Sequence, residues 1–117
     1  MQDYKNISVW QKAHQCVLEL YKVTKGFPKD EIYGLTSQIR RAATSITANI
    51  AEGACRKTDN DFAHFLQMSL GSASETDYFI LLAKDLEYIN QEQAKILMND
   101  IDEIQRMLVA LIKKVRH

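Results

Sequence analysis

The sequence predicts an all-α protein, one domain over residues 1–117 folded as an up-down-up-down antiparallel four-helix bundle. Three observations carry that prediction. Apolar residues recur at three- and four-residue spacing through four long segments, the pattern of helices that bury one face. Only four Gly and one Pro occur among 117 residues, too few for a many-turned β architecture. The connections at residues 57–58 and 88–90 are short, which makes the helices they join antiparallel neighbours. The sequence contains no internal repeat or low-complexity segment.

The first helix is expected over about residues 8–25. Ser8 is positioned to cap it, with Gln11 reaching back from three residues on. Val9, Ala13, Cys16, Val17, Leu20, Tyr21 and Thr24 form its inner stripe, and Gly26 and Pro28 end it. The connection GFPKDEIYG follows, expected to be pinned to the bundle end by Phe27, Ile32 and Tyr33. Helix two is expected over about 35–56. Thr58 with Asp61 opens helix three, over about 59–87. Asn90 with Gln93 opens helix four, over about 91–115, where Ala94, Leu97, Met98, Ile101, Ile104, Leu108, Leu111, Ile112 and Val115 share a face.

Composition excludes several function classes. Hydrophobic residues at 46% and charged residues at 26% are those of an ordinary globular protein. With neither a basic start ahead of an apolar run nor 18 consecutive apolar residues, the expectation is a cytoplasmic protein that does not enter the membrane. Cys16 and Cys55 match no zinc spacing and read as two free thiols. Net charge is zero but unevenly spread. Residues 1–57 carry nine basic and five acidic groups, 58–103 two basic and ten acidic, and 104–117 four basic and none acidic. Any surface for RNA or DNA would therefore be local. Candidate contacts are Arg40, Arg56 and Lys57, and Lys113, Lys114 and Arg116 in the last turn of helix four. Basic residues at a helix carboxyl end also complement its dipole, the plainer reading of the second group.

Helices two and three show an anomaly. In helix two, Leu35, Ile39, Ala42, Ala43, Ile46 and Ile50 face inward, and Gln38, Arg41, Ser45, Asn49, Glu52 and Arg56 form a polar seam beside them. The remaining arc, including Thr44, Thr47, Ala48 and Ala51, holds small residues and a single charge, which implies that it is covered. Helix three has a core stripe of Phe62, Phe65, Leu66, Ser69, Ala73, Thr76, Ile80 and Ala83. A second side carries Met68, Gly71, Glu75, Tyr78, Leu82 and Leu86. Tyr78–Ala83, YFILLA, is apolar all round. One bundle cannot bury every side of a helix, and each large apolar side chain left in water forfeits about 1.5–3 kcal/mol of burial. Self-association is the expectation. The seam is expected to hold a polar network of Arg41, Ser45, Asn49, Glu52, Ser72 and Glu75, with Arg41 pairing Glu75 between helices two and three. On that expectation, Arg41→Ala destabilises fold or assembly more than Arg40→Ala does.

These residues also resemble a known family. VWQKA at 9–13, FP at 27–28, E-x-YGL at 31–35, QIRRA at 38–42, SITANIAEG at 45–53 and GSASE at 71–75 look like signatures of the bacterial four-helix bundle proteins. That family includes the protein encoded in intervening sequences of 23S ribosomal RNA genes. It is similar to the accessory variability protein of diversity-generating retroelements. The resemblance implies an antiparallel protomer assembling into a ring-like homopentamer. The retroelement relative is a basic assembly that contacts nucleic acid and a reverse transcriptase, whereas this chain is neutral.

No catalytic constellation is legible. His14, His64 and His117 are scattered, and Asp61 to His64 is the one Asp/Glu-x-x-His spacing of the kind that bundle di-iron sites use in pairs. There is no P-loop, dinucleotide turn or nucleophile elbow. The expectation is a non-enzymatic binding or scaffold module without cofactor, its partner chiefly a second copy of itself. The competing reading is a nucleic-acid-binding ring.

Overall fold

The structure is a computed structural model that describes residues 2–116. Four helices carry the fold: α1 over Ser8–Thr24, α2 over Leu35–Ala54, α3 over Asp59–Asp85 and α4 over Gln91–Arg116. They form the expected all-α bundle, 43 × 23 × 20 Å. Consecutive helices pack on one another, and α1 closes the ring against α4. Short 3-10 turns at Tyr4–Asn6 and Lys29–Glu31 lead into α1 and α2. Up-down order puts the amino-terminal turn, the α2–α3 connection and the end of α4 at one end of the bundle. The α1–α2 and α3–α4 connections lie at the other.

The core is one cluster drawn from all four helices. Leu20, Ile39, Ile46, Ile50, Leu66, Ile80, Ile101, Ile104 and Leu108 are the largest side chains sealed within it. The α1 stripe is buried as expected except at Tyr21, which is exposed. All of the inner α3 stripe is buried except Phe65, which is half-buried. The tightest packing joins α2 and α3. There the buried Ser69 hydroxyl donates to the Ile46 carbonyl at 2.8 Å. A Cβ added at Gly53 would lie 2.8 Å from Phe65 Cβ and 2.9 Å from Phe62 Cδ1.

The caps of α3 and α4 form as the sequence dictates. Thr58 Oγ1 accepts from the Asp61 amide at 3.1 Å. Asn90 and Gln93 cap each other's amides reciprocally, at 2.8 and 3.2 Å. At α1 the expectation fails: Ser8 is already helical, Ile7 holds the cap position, and no side chain caps there. The preceding turn runs directly into the helix, so the Gln11 amide nitrogen Nε2 donates instead to the Lys5 carbonyl, 2.8 Å away. Helix α2 stops at Ala54 and α3 at Asp85, each two residues short of expectation. After α3, Glu87 takes a left-handed φ of 65°. The Tyr88 amide then donates to Ala83 and the Glu87 amide to Lys84, both at 2.9 Å, closing a Schellman motif that ends the helix.

The α1–α2 connection corrects a further expectation. Phe27 is buried and packs against the Tyr88 ring at 5.3 Å, but Ile32 and Tyr33 are 57% and 94% exposed. Glu31 does the pinning. One carboxylate oxygen accepts from the Leu35 amide at the start of α2, 2.9 Å away, and the other from the Tyr88 hydroxyl at 2.7 Å. The Leu35 amide bond, then the tyrosine bond, hold its pKa below the ordinary value. A depressed carboxylate stabilises the fold above its unfolded pKa, and that contribution disappears as pH falls through the folded value. Glu31→Gln is therefore expected to melt lower than wild type at pH 7 and to converge on it at an acidic pH below the folded-state pKa of Glu31, where the wild-type carboxylate is protonated. Thermal unfolding followed by circular dichroism at the two pH values checks this.

Candidate functional site

The outer face of α2 and α3 is built from two unlike stripes. Along α3 and its C-cap, Met68, Gly71, Glu75, Tyr78, Leu82 and Leu86 fall along one side, because each lies three or four residues from the next. From Met68 to Leu86 the stripe is about 27 Å long at 1.5 Å per residue. Met68, Tyr78 and Leu86 are 45%, 55% and 46% exposed, and Leu82 is half-buried. Gly71 is exposed and a Cβ there would meet nothing within 4 Å. A mid-helix glycine costs about 0.5–1 kcal/mol against alanine, and packing within the protomer gives no reason for it.

The facing stripe on α2 is polar. Ser72 Oγ donates to Ser45 Oγ at 3.0 Å, and Asn49 Nδ2 donates to the Ser45 carbonyl at 2.9 Å and to its hydroxyl at 3.1 Å. The expected network therefore exists in part: Ser45, Asn49 and Ser72 are joined. Glu52 belongs elsewhere, paired with Arg56 at 2.9 Å one turn on. The expected contact between Arg41 and Glu75 is not made. Both are exposed and line one groove of about 500 Å³ with Ser37, Gln38, Ser45 and Phe79, but among the described residues neither takes part in an ion pair within 4 Å. Arg41 sits outside the core margin, so folding leaves it hydrated and asks for no partner.

The small-residue arc of α2 is covered partly from within. Thr47 is buried in the protomer and so is closed to a second chain. Thr44 and Ala51 are half-buried, while Ala48 is exposed. The Thr44 and Thr47 hydroxyls donate back to carbonyls of their own helix, at 2.8 and 2.9 Å.

The candidate anion contacts divide. Arg40 is at the far end of the bundle and already engaged: Nε donates to Thr24 Oγ1 at 2.8 Å, Nη2 to the Tyr21 carbonyl at 3.3 Å, and the guanidinium lies 4.5 Å from the Tyr21 ring. It closes the carboxyl end of α1 and is no free cation. Arg56 is exposed, bound to Glu52 and 4.6 Å over the Phe65 ring. Lys57, Lys113, Lys114 and Arg116 are exposed, and chain topology brings all four to the end of the bundle that also carries Arg56 and Lys5. Sequence reading missed Lys5, a signal hidden because its partners are more than fifty residues away.

Adjacent arginines thus have different duties. Arg40→Ala is expected to lower folding stability by about 1–2 kcal/mol, through a charged hydrogen bond and a cation–π contact. Arg41→Ala is expected to change protomer stability little, reversing the order expected from sequence as far as folding is concerned. Chemical denaturation of the two variants under conditions that hold them monomeric distinguishes the two.

Elsewhere the chemistry is quiet. Burial pushes the Cys16 thiol up to about 12, so it stays protonated and inert at neutral pH, while Cys55 is exposed. Among the described residues no group of three or more His, Cys, Asp or Glu side chains could hold a metal ion. None of the described helices is long and apolar enough to cross a membrane.

Comparison with known proteins fits this geometry. The family model of the 23S rRNA-intervening sequence protein matches residues 5–110. The chain belongs to that family. It is similar to a solved protein of unknown function from the S23 ribosomal protein family of Bacteroides thetaiotaomicron, with 32% identity and a TM-score of 0.80, over 90% of this chain and 98% of that one. No curated protein matches the chain. As a member of the 23S rRNA-intervening sequence protein family, the chain shares a bundle fold with a solved relative for which no activity is stated.

Proposed function

We propose that this family member is a non-enzymatic, homo-oligomeric helical bundle that acts as a binding or scaffold module, with the outer face of α2 and α3 as its self-association surface. The observation that carries this is the α3 stripe: three large apolar side chains stay in water around a glycine with open space above it. A flat, compact strip at Gly71 lets a second backbone come close, and flanking Met68, Tyr78, Leu82 and Leu86 supply the area to bury. Ala48 and the half-buried Thr44 and Ala51 extend the surface across α2. Five copies is the number the family resemblance implies. Size-exclusion chromatography with light scattering tests the reading: a species several times the 13.5 kDa protomer mass is expected at micromolar concentration, and a monomer refutes it.

A second reading has its own support. Lys5, Arg56, Lys57, Lys113, Lys114 and Arg116 share one bundle end, and an assembly repeats that cluster in every copy. Several weak phosphate contacts acting together bind RNA or DNA usefully at low salt. Titration of RNA and DNA at low and physiological salt decides it; binding that does not weaken with salt, or no binding, removes this reading.

A further inference from the structure

We infer that the groove between α2 and α3 is one half of a site completed by a second copy of the chain, in which Arg41 of each protomer pairs with Glu75 of its neighbour. The inference rests on the self-association proposed above and adds which residues hold the copies in register. Glu75 lies in the middle of the α3 stripe, between Gly71 and Tyr78. Anything that covers Met68, Tyr78 and Leu86 together must also strip water from this carboxylate. An uncompensated buried charge is strongly destabilising, so the covering surface has to bring a cation to that point.

Among the described residues the carboxylate has no ion-pair partner within 4 Å. Arg41 lines the same groove but forms no ion pair with it among the described residues. Lys84 makes its ion pair with Asp85 at 3.8 Å. Arg40 and Arg56 are held by Thr24 and Glu52. Among the described residues the groove is therefore lined by one cation and one anion that form no ion pair, with Ser37, Gln38 and Ser45 as neutral hydrogen-bonding walls. A surface of that kind is complementary to itself. Two copies related by a two-fold axis form the pair twice, and a head-to-tail ring forms it once per junction. Charge complementarity and continuity with the apolar stripe both select another copy of this chain as the occupant.

Reversal of either charge tests this. Both positions are exposed in the protomer, so Arg41→Glu and Glu75→Arg are expected to keep the wild-type helical circular dichroism. Each alone is expected to fall to protomer mass in light scattering, since like charges then meet across every junction. An equimolar mixture of the two variants is expected to form species above protomer mass in which the chains alternate, at least a one-to-one heterodimer since an odd-membered ring cannot alternate throughout, and native mass spectrometry shows both chains in them. If either reversal perturbs folding, Arg41→Gln and Glu75→Gln replace them, each expected to raise the dissociation constant at least tenfold. Single variants that retain wild-type mass overturn the inference while leaving self-association standing, the result also expected if the groove serves a small zwitterion. Recovery in the doubly reversed chain while the mixture forms no species containing both chains, not even a one-to-one heterodimer, also overturns it, because the pair would then be internal. A monomeric wild-type protein overturns both the inference and the reading beneath it.

Discussion

Leu66→Ala is expected to destabilise the protomer by about 2–5 kcal/mol, lowering the melting temperature by on the order of 10 °C. Leu66 is on the inner side of α3 with no exposed area, in a cluster that includes Ile46, Ile50 and Ile104. Truncation removes three carbons and leaves a cavity that close-packed helices collapse into only partly. The useful comparison lies at the carboxyl end of the same helix, at its C-cap. Leu86→Ala removes the same atoms from a side chain that is 46% exposed, so it is expected to cost the isolated protomer less than about 1 kcal/mol. Its effect should appear in assembly, as a rise in the concentration at which the oligomer dissociates. Thermal melts at fixed concentration and light scattering over a dilution series separate the two effects. If Leu86→Ala changed neither quantity, the outer stripe of α3 would have no part in association.

What was legible in the sequence follows the range of the forces involved. The caps at Thr58 and Asn90 depend on residues three positions apart, and both form. The core stripes depend on helical period, and they are buried almost residue for residue. Contacts between distant segments were harder to read. Nothing local distinguishes Glu31 from its neighbour Asp30, because its role depends on a tyrosine fifty-seven positions later. Hydrophobicity also misleads where it cannot tell inside from outside. Tyr33 reads as an anchor yet stands almost fully in solvent, and the anchoring is done by Phe27 and the Glu31 carboxylate instead. Arg40 and Arg41 are one residue apart and so about 100° apart around the helix. That rotation turns one toward the end of α1 and the other into the groove facing α3. Thr47 shows the same difficulty: a small polar residue suits a covered position, but sequence could not say that the cover belongs to its own chain.

Gly53→Ala is expected to destabilise the fold through its close approach to α3. Its Cβ would sit 2.8 Å from Phe65 Cβ and 2.9 Å from Phe62 Cδ1, with the Phe62 carbonyl at 3.3 Å. The closest of these is the root of a side chain and the last is backbone, so neither yields by a rotamer change. The helices α2 and α3 must separate, at an overpacking cost of roughly 1–3 kcal/mol, which outweighs the ~1 kcal/mol that alanine gains over glycine within a helix. Separation there also loosens the bonds further along the same interface, from Ser69 to Ile46 and from Ser72 to Ser45. A lower melting temperature with faster amide exchange in both helices is the expected result. Gly71→Ala reverses the sign. No atom of the protomer opposes the added methyl, so the monomer should gain up to about 1 kcal/mol, while a close neighbouring chain would be pushed away. If Gly71→Ala stabilised the protomer and left assembly untouched, the open space above that glycine would not be where copies meet. A weaker assembly from a more stable monomer has no explanation within one chain, because the two glycines then serve two different contacts: one closes α2 on α3, and the other receives the next copy.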